Sequence, residues 1–205
     1  AGDDFSARDL DDADTLDEAS DEELDEDDLE DDEDLEDDED DDYPEDATDE
    51  EIDLVVALYR EDTRAAAVAL AKDLANDLDE LISQLRRVPG DAGALGVVSI
   101  DSDFFVIVRV RGRRVQVLLS DDAAANDWPI ARDALDFLGL DLPDEDDDSA
   151  PAGDLDMLAD AGLAEMELEA LCSDYDADPL DVLETVVDKL GFADVYAGAI
   201  AEFDL

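Results

Sequence analysis

Ser-Ile-Asp-Ser-Asp-Phe-Phe-Val-Ile-Val-Arg-Val-Arg-Gly-Arg-Arg-Val-Gln-Val-Leu-Leu-Ser, residues 99–120, reads as a β-hairpin, and the rest of the fold is organised around it. Gly112-Arg113 suits a two-residue type II′ turn, whose first central residue needs positive φ and therefore favours glycine. That turn sets Arg111 opposite Arg114, Val110 opposite Val115, Arg109 opposite Gln116, Val108 opposite Val117 and Val106 opposite Leu119. Side chains alternate between the faces of a strand. Six apolar side chains, Val106, Val108, Val110, Val115, Val117 and Leu119, therefore share one face. Arg109, Arg111, Arg114 and Gln116 share the other, joined toward the open end by Ile107 and Leu118. A slip of one residue would mix the two sets.

The arginine row has two readings. One is a solvated outer face whose charge protects a sheet from edge pairing. The other is a contact made by Arg109, Arg111, Arg113 and Arg114 with a partner or with the chain's own acidic segment. The solvated face is the leading reading, though Arg111 facing Arg114 is mildly unfavourable unless an anion lies between them, a small push toward the second.

Charge divides the 205 residues into blocks. The formal net charge is −56. Residues 1–51 carry −31, 52–143 only −6, 144–153 −5 and 154–205 −14. A salt-adapted protein spreads acid over every surface, and the nearly balanced middle does not fit that pattern. Residues 1–51 hold too few apolar side chains to offset chain entropy and self-repulsion, so a disordered acidic tail is expected there.

Ile52–Arg60 is rich in β-formers and predicts a strand, with Glu61-Asp62-Thr63 as a turn and residues 64–70 as a return strand. Leu74, Leu78, Leu81, Ile82, Leu85 and Val88 predict a helix over 72–88, stopped by Pro89-Gly90. Residues 96–100 predict the strand leading into the hairpin. Asp127-Trp128-Pro129 opens a helix that Gly139 closes. The expected architecture over 52–143 is α+β, an antiparallel sheet with helices on one face, the valine face.

The acidic Pro/Gly segment 144–153 reads as a linker. Beyond it, 154–205 reads as a small all-helical module. Asp154 should cap a helix over 155–160, with Gly162 ending it. Leu168, Leu171, Cys172 and Tyr175 mark a second helix, Asp178-Pro179 starts a third, and the stripe Phe192 to Phe203 marks a fourth. About 50 residues are marginal alone, so the module should pack on the first domain or on a partner.

Catalytic equipment is sparse. The chain has no histidine and a single cysteine, Cys172, which lies on an apolar stripe. Zinc catalysis and imidazole acid–base chemistry are therefore disfavoured, and neither a Gly-rich phosphate loop nor a Gly-x-Ser-x-Gly elbow occurs. Asp174-Tyr175-Asp176-Ala177-Asp178 begins like a calcium loop, but Pro179 replaces the glycine of the sixth position and Thr185 the glutamate of the twelfth. A DNA-binding helix-turn-helix in 154–205 is opposed by its charge. No cofactor is expected. No apolar run approaches a membrane span of about 20 residues, and a soluble cytoplasmic protein is the expectation.

Several phrases in fixed order carry a family resemblance. They are Leu54-Val55-Val56-Ala57-Leu58-Tyr59-Arg60, the run Gly93 to Ile100, Asp103-Phe104-Phe105 to Val110, and Leu118-Leu119-Ser120-Asp121. Asp127-Trp128-Pro129, Gly153-Asp154-Leu155, Met166 to Cys172 and Leu190-Gly191-Phe192 follow. Over residues 52–195 the chain resembles the tRNA adenosine deaminase-associated protein family of actinobacteria. The resemblance implies genomic association with an enzyme that converts wobble adenosine to inosine, and it brings no catalytic residues. The expected function is a non-catalytic accessory or interaction protein that binds or modulates that deaminase. The alternatives are an RNA contact through the Arg109–Arg114 hairpin, disfavoured by the overall charge, and self-regulation by the acidic tail.

Overall fold

The computed structural model describes residues 43–144, 148–174 and 176–203. Six strands form one antiparallel sheet: β1 Ile52–Glu61, β2 Arg64–Ala69, β3 Ala94–Ile100, β4 Phe104–Arg111, β5 Arg114–Leu119 and β6 Ala152–Gly153. Their order across the sheet is β2-β1-β3-β4-β5-β6. Five α-helices accompany them among the described residues: α1 Leu78–Leu85, α2 Pro129–Leu138, α3 Glu165–Cys172, α4 Pro179–Lys189 and α5 Ala193–Ile200. The class is α+β, as the sequence predicts.

The β4–β5 hairpin has the expected register, with Arg111 opposite Arg114, Arg109 opposite Gln116 and Val106 opposite Leu119. Gly112 sits at φ +57° and Arg113 is not in the positive-φ region, as a type II′ turn requires. The valine face packs beneath α1 and α2, where Val106, Val108, Val110, Val117 and Leu119 share a core with Leu78, Leu81, Leu85, Ile130 and Leu135.

The opposite face is covered too. Leu54, Val56, Leu58, Val97, Phe105, Ile107 and Leu118 form a second core with Leu168, Leu183, Val186, Val187 and Tyr196 of α3–α5. Each such side chain contributes about 1.5–3 kcal/mol on leaving water, and that burial gives the C-terminal helices their stability. The sheet is thus the middle of three layers. The solvated reading of the arginine side holds only near the hairpin tip, because Ile107 and Leu118 lie under helices.

β1 serves both cores by alternation, and a bulge at its start puts Ile52 and Leu54 on opposite faces. Ile52 pairs with Ile100 and Leu54 with Ser99, so the alternation shifts by one residue. Ile52 enters the first core and Leu54 the second. Asp53 is turned outward, and its carboxylate accepts from Ser99 Oγ at 2.9 Å and from Ser102 N at 2.8 Å. It thereby braces the β3–β4 turn, where Asp101 and Ser102 both hold positive φ.

Three local expectations need correction. The helix predicted over 72–88 is a 3-10 turn, Lys72–Asn76, followed by α1. Asp77 breaks the run in an extended conformation and caps α1 by accepting from Glu80 N at 2.8 Å. The helix predicted over 155–160 is replaced by turns and a 3-10 segment, Ala159–Ala161. Pairing of β6 with β5 carries Asp154 beside Val117, and the Asp154 carboxylate accepts from Val117 N at 3.2 Å instead of capping a helix.

Residues 43–51, assigned by composition to the acidic tail, are folded. Ala47 is buried in the first core, its N–H donates to Asn76 Oδ1 at 2.7 Å, and Tyr43 Oη donates to Asp133. The remainder of that tail expectation, residues 1–42, lies outside the described residues, as does Tyr175. Among the described residues no helix is long and apolar enough to cross a membrane.

Candidate functional site

Strand register decides where the arginines gather. Tyr59 aligns with Ala94, Ala94 with Val110 and Val110 with Val115. The β1–β2 turn, the α1–β3 loop and the β4–β5 turn therefore share one end of the sheet. Asp91 N donates to Arg60 O at 3.1 Å and Asp91 Oδ2 accepts from Asp62 N at 2.9 Å, joining the first two loops. Arg60, Arg64, Arg86, Arg87, Arg109, Arg111, Arg113 and Arg114 all belong to these segments, eight of the chain's ten arginines. The same segments contribute three carboxylates, Glu61, Asp62 and Asp91.

Three of the eight guanidinium groups are tied inward. Arg60 Nη2 donates to Leu190 O at 2.8 Å, and its guanidinium lies 4.7 Å from the Phe192 ring centroid, a cation–π contact. Arg109 donates to the Met157 carbonyl and to both Asp160 oxygens, Nη1 to Oδ1 at 2.5 Å and Nη2 to Oδ2 at 3.1 Å. Arg111 Nη1 adds a bond to Asp160 Oδ2 at 2.8 Å. The hydrogen bonds from Arg109, and then the charges of Arg109 and Arg111, hold the Asp160 carboxyl below its ordinary range. One carboxylate thus relieves the crowding of positive charge on the hairpin's outer face.

The others point to solvent. Arg64, Arg86, Arg113 and Arg114 are exposed, and their side chains have no hydrogen bond or ion pair among the described residues. Arg87 reaches only Gln84 Oε1, at 3.5 Å. Arg86, Val88, Gly93, Val110 and Arg111 are among the residues lining an open groove of about 500 Å³. Gly93 is required there. It holds φ +89°, and a Cβ would stand 2.1 Å from the Val110 carbonyl oxygen.

The far end of the sheet has the opposite sign. Asp101 and Asp103 sit on the β3–β4 turn, and Asp121, Asp122 and Asp127 follow β5. A groove of about 490 Å³ is lined by Asp103, Asp121, Asp174, Asp176 and Asp178. Burial, and then the charges of Asp121, Asp101 and Asp127, push the Asp103 carboxyl above its ordinary range. Asp178 accepts from Leu180 N at 2.9 Å and caps α4, so the run that opens like a calcium loop is a helix start. Among the described residues no group of three metal-binding side chains is gathered for an ion. Cys172 is buried, and desolvation pushes its thiol up to about 12.

Of the four arginines singled out from sequence, Arg109 and Arg111 are engaged by Asp160, while Arg113 and Arg114 stay exposed at the hairpin tip. The structure adds Arg64 and Arg86, which lie far from the hairpin in sequence. Extending the register from β4 through β3 to β1 is the signal that aligns them.

A family model described as Rv3753c-like tRNA adenosine deaminase-associated protein matches residues 53–193. Protein Rv3753c of Mycobacterium tuberculosis (strain ATCC 25618 / H37Rv) is 32% identical over 148 residues, covering 71% of this chain and 86% of that protein. No solved structure matches.

Proposed function

Since the chain belongs to the Rv3753c-like tRNA adenosine deaminase-associated protein family, we propose that it is a non-catalytic accessory protein that binds a tRNA adenosine deaminase in the cytoplasm. The observation that carries the reading is chemical. Deamination of adenosine uses a zinc ion held by one histidine and two cysteines, or by three cysteines, with a nearby glutamate. This chain has no histidine and one cysteine, and that cysteine is a buried, protonated thiol. It cannot supply the metal site, so its contribution to the reaction has to pass through the enzyme.

A surface with opposite charge at its two ends suits recognition of another macromolecule. The test is a titration of the chain with the cognate deaminase at low and moderate salt, beside deamination rates measured with and without it. A saturable complex, with or without a change in rate, supports the reading. No complex and an unchanged rate would remove it.

A further inference from the structure

The unpaired arginines need an explanation, because acid is abundant. The chain holds 68 acidic residues against 12 basic ones, yet Arg64, Arg86, Arg113 and Arg114 have no carboxylate partner among the described residues. Local roles explain part of this. Arg86 and Arg87 follow the C-terminus of α1, where positive charge complements the helix dipole. Edge protection could account for a charge on the hairpin. Neither role accounts for three loops, distant in sequence, bringing eight arginines to one end of the sheet while other segments gather carboxylates at the far end.

The two ends act independently in salt. β1 has 10 residues and so spans about 33 Å, while the Debye length at physiological ionic strength is about 8 Å. An anion near the arginine end is attracted by that end and screened from the far one. The attraction covers a limited area, however, because Glu61, Asp62, Asp91 and Asp160 stand among or beside the arginines.

Anion size and chemistry can then be chosen. Single-stranded RNA favours exposed aromatic rings for base stacking, and among the described residues no aromatic ring at this end is fully exposed, Tyr59 being half-buried. Tyr59 packs on the first core, and Phe192 lies buried beneath Arg60. A long polyphosphate would run past the arginines onto acidic flanks. A compact carboxylate patch fits the area, and guanidinium forks suit carboxylates.

We propose that the arginine end of the sheet is the docking face for an acidic patch on the protein partner, with Arg64, Arg86, Arg113 and Arg114 making the contact around the Arg86–Arg111 groove. The inference rests on the accessory reading above, with the deaminase as the partner. Association is steered by charge and weakens as salt is raised.

The test compares the intact chain with a fourfold variant, Arg64→Glu, Arg86→Glu, Arg113→Glu and Arg114→Glu, and with an opposite-end control, Asp174→Lys and Asp176→Lys. Deaminase binding is measured for each by calorimetry, after circular dichroism and urea midpoints establish that each is folded. Like-charge opposition should weaken binding by the fourfold variant at least about a hundredfold, while the control binds as well as the intact chain. The single change Arg113→Glu, at an exposed turn, should weaken binding measurably and flatten its salt dependence even if the fourfold variant does not fold. Equal binding by intact and arginine-reversed chains would overturn the docking face and leave the accessory reading in place. Failure of the intact chain to bind would remove both. Retention of tRNA on filters by the intact chain, lost in the fourfold variant, would overturn the carboxylate partner in favour of phosphate.

Discussion

Arg109 and Asp160 meet across 51 residues of chain, Nη1 to Oδ1 at 2.5 Å, and the same guanidinium donates to the Met157 carbonyl. The pair fastens the segment leading into α3–α5 to the outer face of the hairpin. The Asp160 carboxylate also reaches Arg111 Nη1 at 2.8 Å, while Arg114 across the hairpin stays unpaired among the described residues. The tie is asymmetric, since the Arg109 side chain is 13% exposed and that of Asp160 is 53% exposed.

That asymmetry sets the expected cost of breaking the tie. Asp160→Asn should destabilise by about 1 kcal/mol, in the range of solvent-screened pairs. Arg109→Ala should cost about 2 kcal/mol, because it also strips a donor from Met157 O and removes a packed aliphatic stem. Urea unfolding of both variants checks the order. Because the folded Asp160 carboxyl is held low, its contribution is present above the unfolded value of about 3.9. It is lost as pH falls through the lower folded value, so Asp160→Asn and the parent should converge in strong acid.

Asp103 has the opposite sign. Its folded carboxyl is raised by burial and by its acidic neighbours. Its charged form therefore opposes folding at neutral pH, and stability rises as pH falls through the folded value. Asp103→Asn should raise the melting temperature at pH 7, with a gain that shrinks as acid protonates the parent. Thermal melts across that pH range check both parts. A destabilised variant at pH 7 would contradict the assignment.

Cys172 should be inert while the chain is folded. Its thiol is buried and pushed up to about 12, and the thiolate is the reactive form. Iodoacetamide at pH 8 should leave the native protein unlabelled and label it promptly in urea. Rapid labelling of the native protein would show that α3 opens readily from the sheet.

Gly96 reports on the first core. A Cβ there would stand 2.7 Å from Leu85 Cδ1, and Leu85 is buried. Gly96→Ala should cost about 1–3 kcal/mol through overpacking. In a Leu85→Ala background the same change should cost much less, since the obstructing methyl is gone. The double-mutant cycle measures that difference.

Much of this fold is legible in the sequence because its signals are local. Gly112 defines a turn, the turn defines the β4–β5 register, and the register sorts the valines from the arginines. Coverage of the second face is harder to read. Ile107 and Leu118 on the arginine side, with Leu54, Val56 and Leu58 alternating in β1, are its traces, but nothing local says which helices supply the cover. Asp77 looks like one polar residue in a helical period, and its capping role emerges only from its extended backbone. At the candidate site, Arg113 and Arg114 are readable as neighbours. Arg64 and Arg86 join them only through the β1–β3–β4 pairing, a long-range relationship that composition and spacing do not carry.

Hydrogen exchange on the chain, alone and with the cognate deaminase, tests the central claim most directly. Protection should appear together at residues 61–64, 86–93 and 111–114, with the loops 101–103 and 173–178 at the acidic end exchanging as they do in the free chain. Protection confined to the acidic end or to the outer faces of α3–α5, with the three arginine loops unchanged, would contradict it.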